Sequence, residues 1–149
     1  MYIFLIIIVV FVYLIYKRQN TKNTKEESEN PLRDIVFAEK YFNDKIKEGN
    51  NDDEALQIFN SMKKNFIRLC ERFKFDEIKL DQTKKDWTDY CISFGGLLYL
   101  GNVPFMAMTD EDTEKNHKEQ DGLLIKVSEI EKRFEKLLGH DYLDPRKKT

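Results

Sequence analysis

The sequence predicts an all-α protein with an N-terminal single transmembrane helix, a flexible linker and a small antiparallel bundle of about four helices. The first sixteen residues contain no charge, whereas charged residues make up 35% of the whole chain. Beyond residue 30, apolar residues recur every three or four positions, as on one face of a helix, and no convincing series of strands is present. The predicted parts are a transmembrane anchor (1–18), a polar linker (19–30), a helical bundle domain (31–142) and a basic tail (143–149).

The anchor is predicted from the segment MYIFLIIIVVFVYLIY, which Lys17 and Arg18 follow directly. Sixteen residues at 1.5 Å each span about 24 Å, so interfacial tyrosines and the stems of Lys17 and Arg18 must complete a core of about 30 Å. A cleaved secretory signal is the alternative. It needs a basic stretch before the apolar run and small residues after it, and neither is present.

The charges after the anchor predict its orientation. Lys17, Arg18, Lys22 and Lys25 follow the apolar segment with no acid among them. Because basic residues near a span stay on the cytosolic side, the C-terminal domain is expected in the cytosol or an equivalent compartment. The short N-terminus then faces outward, and lipid around residues 1–18 is a predicted partner.

Residues 17–30, KRQNTKNTKEESEN, contain no apolar side chain and so have nothing to bury against a core. A flexible coil of this length has a root-mean-square span of roughly 20 Å, which keeps the following domain near the bilayer. The basic half either contacts anionic head groups or is simply solvated, and both interpretations stay open.

The first two bundle helices have clear boundaries in the sequence. Pro31 suits the first turn of a helix that Gly49 and the following NNDD run end, and Asp52 or Asp53 can cap the next helix. The apolar face of the first helix comprises Leu32, Ile35, Phe42 and Ile46, with Phe37 and Tyr41 beside it. That of the second comprises Ala55, Phe59, Met62, Phe66, Leu69 and Phe73, widened by Ile58, Ile67 and Cys70.

Two more helices complete the predicted bundle. One begins near Asp81 and carries Trp87, Tyr90, Cys91 and Phe94, with Trp87 interpreted as a core residue rather than a stacking platform. The other is ended by Gly139, and its charged residues, among them Glu131 and Arg133, are assigned to the solvent face. Its apolar face comprises Leu123, Val127, Ile130, Phe134 and Leu137.

Residues 91–108, CISFGGLLYLGNVPFMAM, carry no charge. We interpret them as the end of a buried helix up to about Leu100, a turn at residues 101–104 and a segment that packs beneath the acidic residues 109–121. A second or re-entrant membrane crossing and a ligand loop are the alternatives. Gly95, Gly96 and Gly101 lack the context of a phosphate-binding loop, so close helix packing or a kink is the preferred explanation.

Several residues are candidates for metal binding. Glu114 and His117 have the three-residue spacing of half a di-metal site, but the other half is missing. The acids Asp110, Asp112, Glu114 and Asp121 fail the calcium-loop pattern, and are assigned to a loop and a helix N-terminus.

Further candidates have structural explanations. His140, Asp141 and Tyr142 are assigned to a helix terminus, and Cys70 and Cys91 to buried thiols that would pair only if the topology were reversed. We therefore predict no catalytic, cofactor-binding or metal site.

The composition bounds the function. With 25 basic and 27 acidic residues, the chain has no field that would draw it onto nucleic acid, and no small-molecule substrate is evident. The sequence favours a membrane-anchored, non-enzymatic protein that binds another protein, as an accessory or assembly subunit of a membrane complex or a tethered adaptor. The alternatives are a phage-exclusion, immunity or lysis-type membrane factor, and a helical metal-binding enzyme that uses Glu114 and His117.

Overall fold

The computed structural model describes residues 31–49, 52–103 and 108–147, with side chains from Asp34 onward. The predicted anchor and linker lie outside the described residues, as do residues 104–107, which were expected to pack beneath the acidic segment. The described part is all-helical, has four α-helices and contains no strand. The helices are α1 (Pro31–Glu48), α2 (Asp53–Arg72), α3 (Glu77–Gly101) and α4 (Asp110–Leu138), and a 3-10 turn (Gly139–Asp141) follows α4.

Successive helices run antiparallel, as predicted for a bundle. The ring of Phe42 in α1 stacks on that of Phe59 in α2 at 3.8 Å between centroids. Farther from the α1–α2 connection, Lys63 Nζ lies 2.7 Å from Glu39 Oε2. At the other pair of helices, Asp86 of α3 binds Arg133 of α4. The predicted number and order of the bundle helices are therefore confirmed.

Side chains that cap the helices explain where they begin. The Ala55 N–H donates to Asp52 Oδ1 at 3.0 Å, so Asp52 is the cap of α2, one of the two predicted candidates. The Lys79 N–H donates to Asp76 Oδ1 at 3.2 Å. This cap starts α3 at Glu77, and the prediction of a start near Asp81 was wrong by one turn.

The start of α4 is the larger correction. Thr109 and Asp112 form a reciprocal capping box, in which the Asp112 N–H donates to Thr109 Oγ1 at 3.2 Å. The cap satisfies free backbone donors, and the acids of the first turn meet the positive end of the helix dipole. Residues 110–121 are therefore helical throughout, and the loop expected within them was wrong.

The core is aromatic at its centre. Trp87 is fully buried, and its ring stacks on Phe66 at 5.0 Å and on Tyr90 at 5.6 Å between centroids. The predicted interpretation of Trp87 as a core residue is confirmed. The buried apolar side chains of α2 match the predicted stripe and are Ala55, Phe59, Met62, Phe66 and Leu69.

Some assignments at the margins of the stripes were wrong. Leu137 is 41% exposed, and the core position at the end of α4 is Leu138, four residues after the buried Phe134. Ile67 and Phe37 are also mainly exposed, at 51% and 64%. Ala38 is fully buried in α1 although its small side chain gave no apolar signal in the sequence.

The uncharged stretch that begins at Cys91 is the C-terminal part of α3 as far as Gly101. Cys91, Ser93 and Gly95 are buried there, and the helix ends at Gly101, close to the predicted end at Leu100. Asn102 follows and donates its Nδ2 to Leu98 O at 2.8 Å. Across the described ranges, no helix is both long enough and apolar enough to span a bilayer.

Close packing explains Gly95. A Cβ atom at this position would lie 2.9 Å from Tyr41 Cε1 and 3.3 Å from Phe42 Cα, so α1 approaches α3 closely here. At Gly101 no atom lies within 4 Å of the same position, and this glycine marks the helix end. The preference for close packing over a ligand loop is thus confirmed at Gly95.

Replacing Gly95 with alanine is expected to lower the free energy of unfolding by about 1–3 kcal/mol, because the methyl group would push α1 away from α3. Gly122 is the matched control, since it lies within α4 with no atom within 4 Å of its added Cβ. Gly122→Ala is expected to raise the stability by about 0.5–1 kcal/mol, the difference in helix propensity. Urea unfolding followed by circular dichroism measures both, and equal effects would contradict the packing argument.

The chain stays packed on the bundle after α4. The Asn65 side chain is fully buried and binds both backbone groups of Leu143, donating to its O at 2.8 Å and accepting from its N–H at 3.0 Å. Pro145 is buried as well. Residues 143–145, which the sequence placed in the basic tail, are therefore held against α2.

Candidate interaction surface

A concave surface lies between α3 and α4, next to the exposed side chain of Ile92. It has a volume of about 320 Å³. We call it the α3–α4 groove, and its lining residues are Asp89, Ile92, Ser93, Leu123, Lys126, Glu129, Ile130 and Arg133. The apolar members line its floor, and the charged members contribute both signs of charge.

Contacts at its two ends fix the spacing of the groove. At one end Asp86 accepts from Arg133 Nε at 3.1 Å and from its Nη2 at 2.9 Å. At the other end Leu123 packs onto Gly96, where an added Cβ would meet Leu123 Cδ1 at 3.0 Å. Ten residues of α3 separate these contacts, which is roughly 15 Å of helix. The groove is therefore about three helical turns long and is held open by both helices.

The Asp86 and Arg133 pair is anchored in the bundle. The side chain of Asp86 is only 5% exposed, whereas that of Arg133 is 49% exposed. Gln82 Nε2 also donates to Asp86 Oδ1 at 3.0 Å, so the carboxylate has three donors. Arg133 is exposed, as its assignment to the solvent face of α4 predicted, but its ion pair is with Asp86 of α3 and not with a neighbour on its own helix.

The exposed apolar side chain of this surface is Ile92. It is 41% exposed, and Asp89, one turn earlier on α3, is exposed beside it. An apolar strip with charged edges resembles the apolar centre and polar rim of protein interfaces. An open groove of this kind covers little of a small ligand, since ligand pockets enclose most of their occupant.

The sequence candidates for metal binding lie elsewhere. Glu114 and His117 are both exposed on the N-terminal half of α4, and Glu114 Oε1 lies 2.8 Å from Lys118 Nζ. Asp110 and Asp112 stand roughly 200° apart around the helix, so their carboxylates diverge. In the ranges that the structure covers, no three His, Cys, Asp or Glu side chains gather as a metal site would require.

The thiols are poor nucleophiles in this fold. Cys70 and Cys91 are both free, and Cys91 is fully buried. Burial raises the pKa of both thiols above the ordinary value, because a charged thiolate loses solvation inside the bundle. Since the thiolate is the reactive form, neither cysteine is activated for catalysis. Cys91 is buried as predicted, whereas Cys70 is only half-buried.

His140, Asp141 and Tyr142 also serve the end of α4. His140 and Asp141 belong to the 3-10 turn, with His140 Nε2 3.3 Å from Asp141 Oδ1. The Arg72 guanidinium of α2 binds Asp141 Oδ2 at 3.0 Å. These contacts close the C-terminal end of α4 against α2, which confirms the predicted helix terminus.

A polar cluster beneath the C-terminal segment was missed in the sequence. Burial raises the pKa of Tyr90, Glu131 and Tyr142, and the nearby Glu131 carboxylate adds to the rise at both tyrosines. Among the described residues, the Tyr90 hydroxyl has no hydrogen-bond partner within 3.5 Å, and the Glu131 carboxylate is the acceptor that faces it. Glu131 was assigned to the solvent face and is half-buried. The signal for this was its spacing of four residues from Val127 and three from Phe134, which are both buried.

Comparison of the chain with protein-family models, with curated proteins and with solved structures gives no match.

Proposed function

We propose that this chain is a single-pass membrane protein without enzymatic activity, whose helical bundle binds another protein. In this proposal residues 1–18 anchor it, the short N-terminus lies outside, and the bundle lies on the cytosolic or equivalent side. It acts as an accessory or assembly subunit of a membrane complex, or as a tethered adaptor. The proposed membrane anchor and its orientation are supported by the uncharged residues 1–16 and the basic residues that follow them.

The α3–α4 groove is the observation that supports binding of another protein by the bundle. Its apolar floor would accept a stripe of apolar side chains from a partner helix. The register of the partner helix would be set by charge complementarity with the acidic Asp89 and Glu129 and the basic Lys126. The rigid ends at Arg133 and Gly96 keep the groove preformed, which lowers the ordering cost of binding.

The proposal includes no enzymatic role, because the candidate chemical groups lack the surroundings that catalysis requires. Glu114 is engaged by Lys118 on an exposed helix surface, and the thiol of Cys91 is buried and protonated. A nucleophile needs a lowered pKa or an adjacent base, and burial acts on this thiol in the opposite direction.

A photo-crosslinking amino acid at position 92 of the full chain, in its native membrane, is expected to form a discrete adduct with one protein. The same probe at position 67 is the matched control, because Ile67 is 51% exposed on α2, away from the groove. We expect Leu123→Glu to remove the adduct at position 92. Equal adducts at both positions, or adducts that Leu123→Glu leaves unchanged, would contradict binding in the groove.

A further inference from the structure

Two apolar side chains stand in solvent at the turn between α2 and α3. Phe75 is 93% exposed and Ile78 is 83% exposed, the highest values among the large apolar side chains that the structure describes. We call residues 73–79 the α2–α3 tip. Isolated apolar groups on a surface are ordinary, but here two large and almost fully exposed apolar side chains lie three residues apart in the sequence.

The backbone of the tip is well defined. The Phe73 N–H donates to Leu69 O at 2.9 Å, and the Asp76 N–H donates to Phe73 O at 2.8 Å. Asp76 then caps α3 through the Lys79 N–H. Exposure of Phe75 is therefore a consequence of a hydrogen-bonded turn.

The tip lies at the same end of the bundle as the start of α1. Helices α1 and α3 run in the same direction, because Trp87 Nε1 donates to Glu39 Oε1 at 2.9 Å and Gly49 lies against the side chain of Asn102. The start of α1 and the start of α3 are thus at the same end. The polypeptide reaches this end of the bundle at Ile35, after the apolar residues 1–16 and the polar residues 17–30. In the proposed topology, a flexible segment of the length of residues 17–30 would span roughly 20 Å, so this end of the bundle would be the one tethered to the bilayer.

The side chains of the tip suit a lipid interface. Lys74 Nζ lies 5.2 Å from the ring centroid of Phe75, and Lys79 Nζ lies 5.5 Å from that of Phe73. Lysine stems can accompany apolar groups into the interface while their ammonium groups stay among the head groups. Asp76 and Glu77 offset the two positive charges, so apolar insertion rather than attraction to anionic lipid would supply the contact.

We propose that the α2–α3 tip inserts Phe75 and Ile78 into the interfacial layer of the bilayer and so holds the bundle in one orientation. This inference rests on the membrane anchor of the proposed function. The occupant to which it commits is lipid, and contact of the tip with a second copy of the chain is the outcome that would replace it.

Phe75→Trp in the full chain, reconstituted into vesicles that contain brominated lipid, tests the insertion. We expect the tryptophan fluorescence of the Phe75→Trp chain to be quenched about twofold or more, because an inserted ring reaches the brominated acyl region. The wild-type chain is the background control, since its single Trp87 is fully buried. Leu56→Trp is the positional control, because Leu56 is exposed near the opposite end of the bundle. Adding Ile78→Ser is expected to remove most of the quenching, and adding Ile67→Ser is expected to leave it unchanged.

Flotation of the same vesicles separates failure of this inference from failure of the anchor. If the chain floats and Phe75→Trp is quenched no more than Leu56→Trp, the insertion is wrong while the anchor stands. A chain that does not float overturns both. Quenching that vanishes at high salt would indicate an electrostatic contact and overturn the insertion. A blue-shifted Phe75→Trp emission that bromolipid does not quench would assign the tip to contact between copies.

Discussion

Replacing Trp87 with alanine is expected to lower the free energy of unfolding by about 3–5 kcal/mol, the largest effect that we predict for the bundle. The side chain is fully buried and contacts the rings of Phe59, Phe66 and Tyr90 at 5.2, 5.0 and 5.6 Å between centroids. Alanine would leave a cavity where three helices meet. The measurement is urea unfolding of the bundle domain followed by circular dichroism.

Trp87→Phe is the matched control for the cavity. Phenylalanine keeps much of the ring packing and removes the hydrogen bond from Nε1 to Glu39 Oε1, which measures 2.9 Å. We expect it to cost about 2 kcal/mol, since the acceptor that loses its donor is the carboxylate of Glu39. If both substitutions cost the same, the hydrogen bond rather than the packing would hold Trp87 in place.

Replacing Arg133 with methionine is expected to cost about 2 kcal/mol, because it leaves the carboxylate of Asp86 buried with only Gln82 as donor. This cost is lower than for a fully buried pair, because half of the Arg133 side chain is exposed and solvent screens its charge. Unfolding in urea gives the value. A cost below about 0.5 kcal/mol would show that water replaces the guanidinium at the carboxylate.

Two further variants make the test of this pair specific. Arg146→Met is the control, because the Arg146 side chain is 73% exposed in its pair with Asp144, and its loss should destabilise the bundle much less than the loss of Arg133. The double variant Asp86→Leu with Arg133→Met should recover most of the lost stability, since it removes the buried charge along with its partner. A double variant less stable than Arg133→Met alone would contradict this account.

Local patterns predicted the helices well, and their capping less well. The spacing of Phe59, Met62 and Phe66 was enough to define α2 and its core face, because helical periodicity is a property of adjacent turns. The early starts of α3 and α4 were missed because Asp76 and Thr109 precede polar turns with little apolar periodicity. The sequence signal for the start of α4 is the capping box of Thr109 with Asp112, which has aspartate in place of the usual glutamate or glutamine.

The candidate surface could be predicted only in part. Ile130 and Leu123 were assigned to the apolar face of α4, yet no pattern in α4 indicates that this face meets α3 at Asp86 and Gly96. Residues far apart in the chain build the groove, and their pairing depends on how the two helices pack. The exposed positions of Phe75 and Ile78 likewise follow from the turn between α2 and α3, which no apolar spacing predicts.

By itself, the sequence predicted about four helices within residues 31–142, which the described residues confirm, and the stripes of α2 and α4 that turn inward. This was possible because helix formation and amphipathic spacing depend on neighbours within a few residues. Only the tertiary structure decided that Asn65, Asp86 and Glu131 are withdrawn from solvent and that Gly95 admits α1. The reason is that burial of a polar group becomes favourable only where a distant partner, such as Leu143 for Asn65 or Arg133 for Asp86, satisfies its hydrogen bonds.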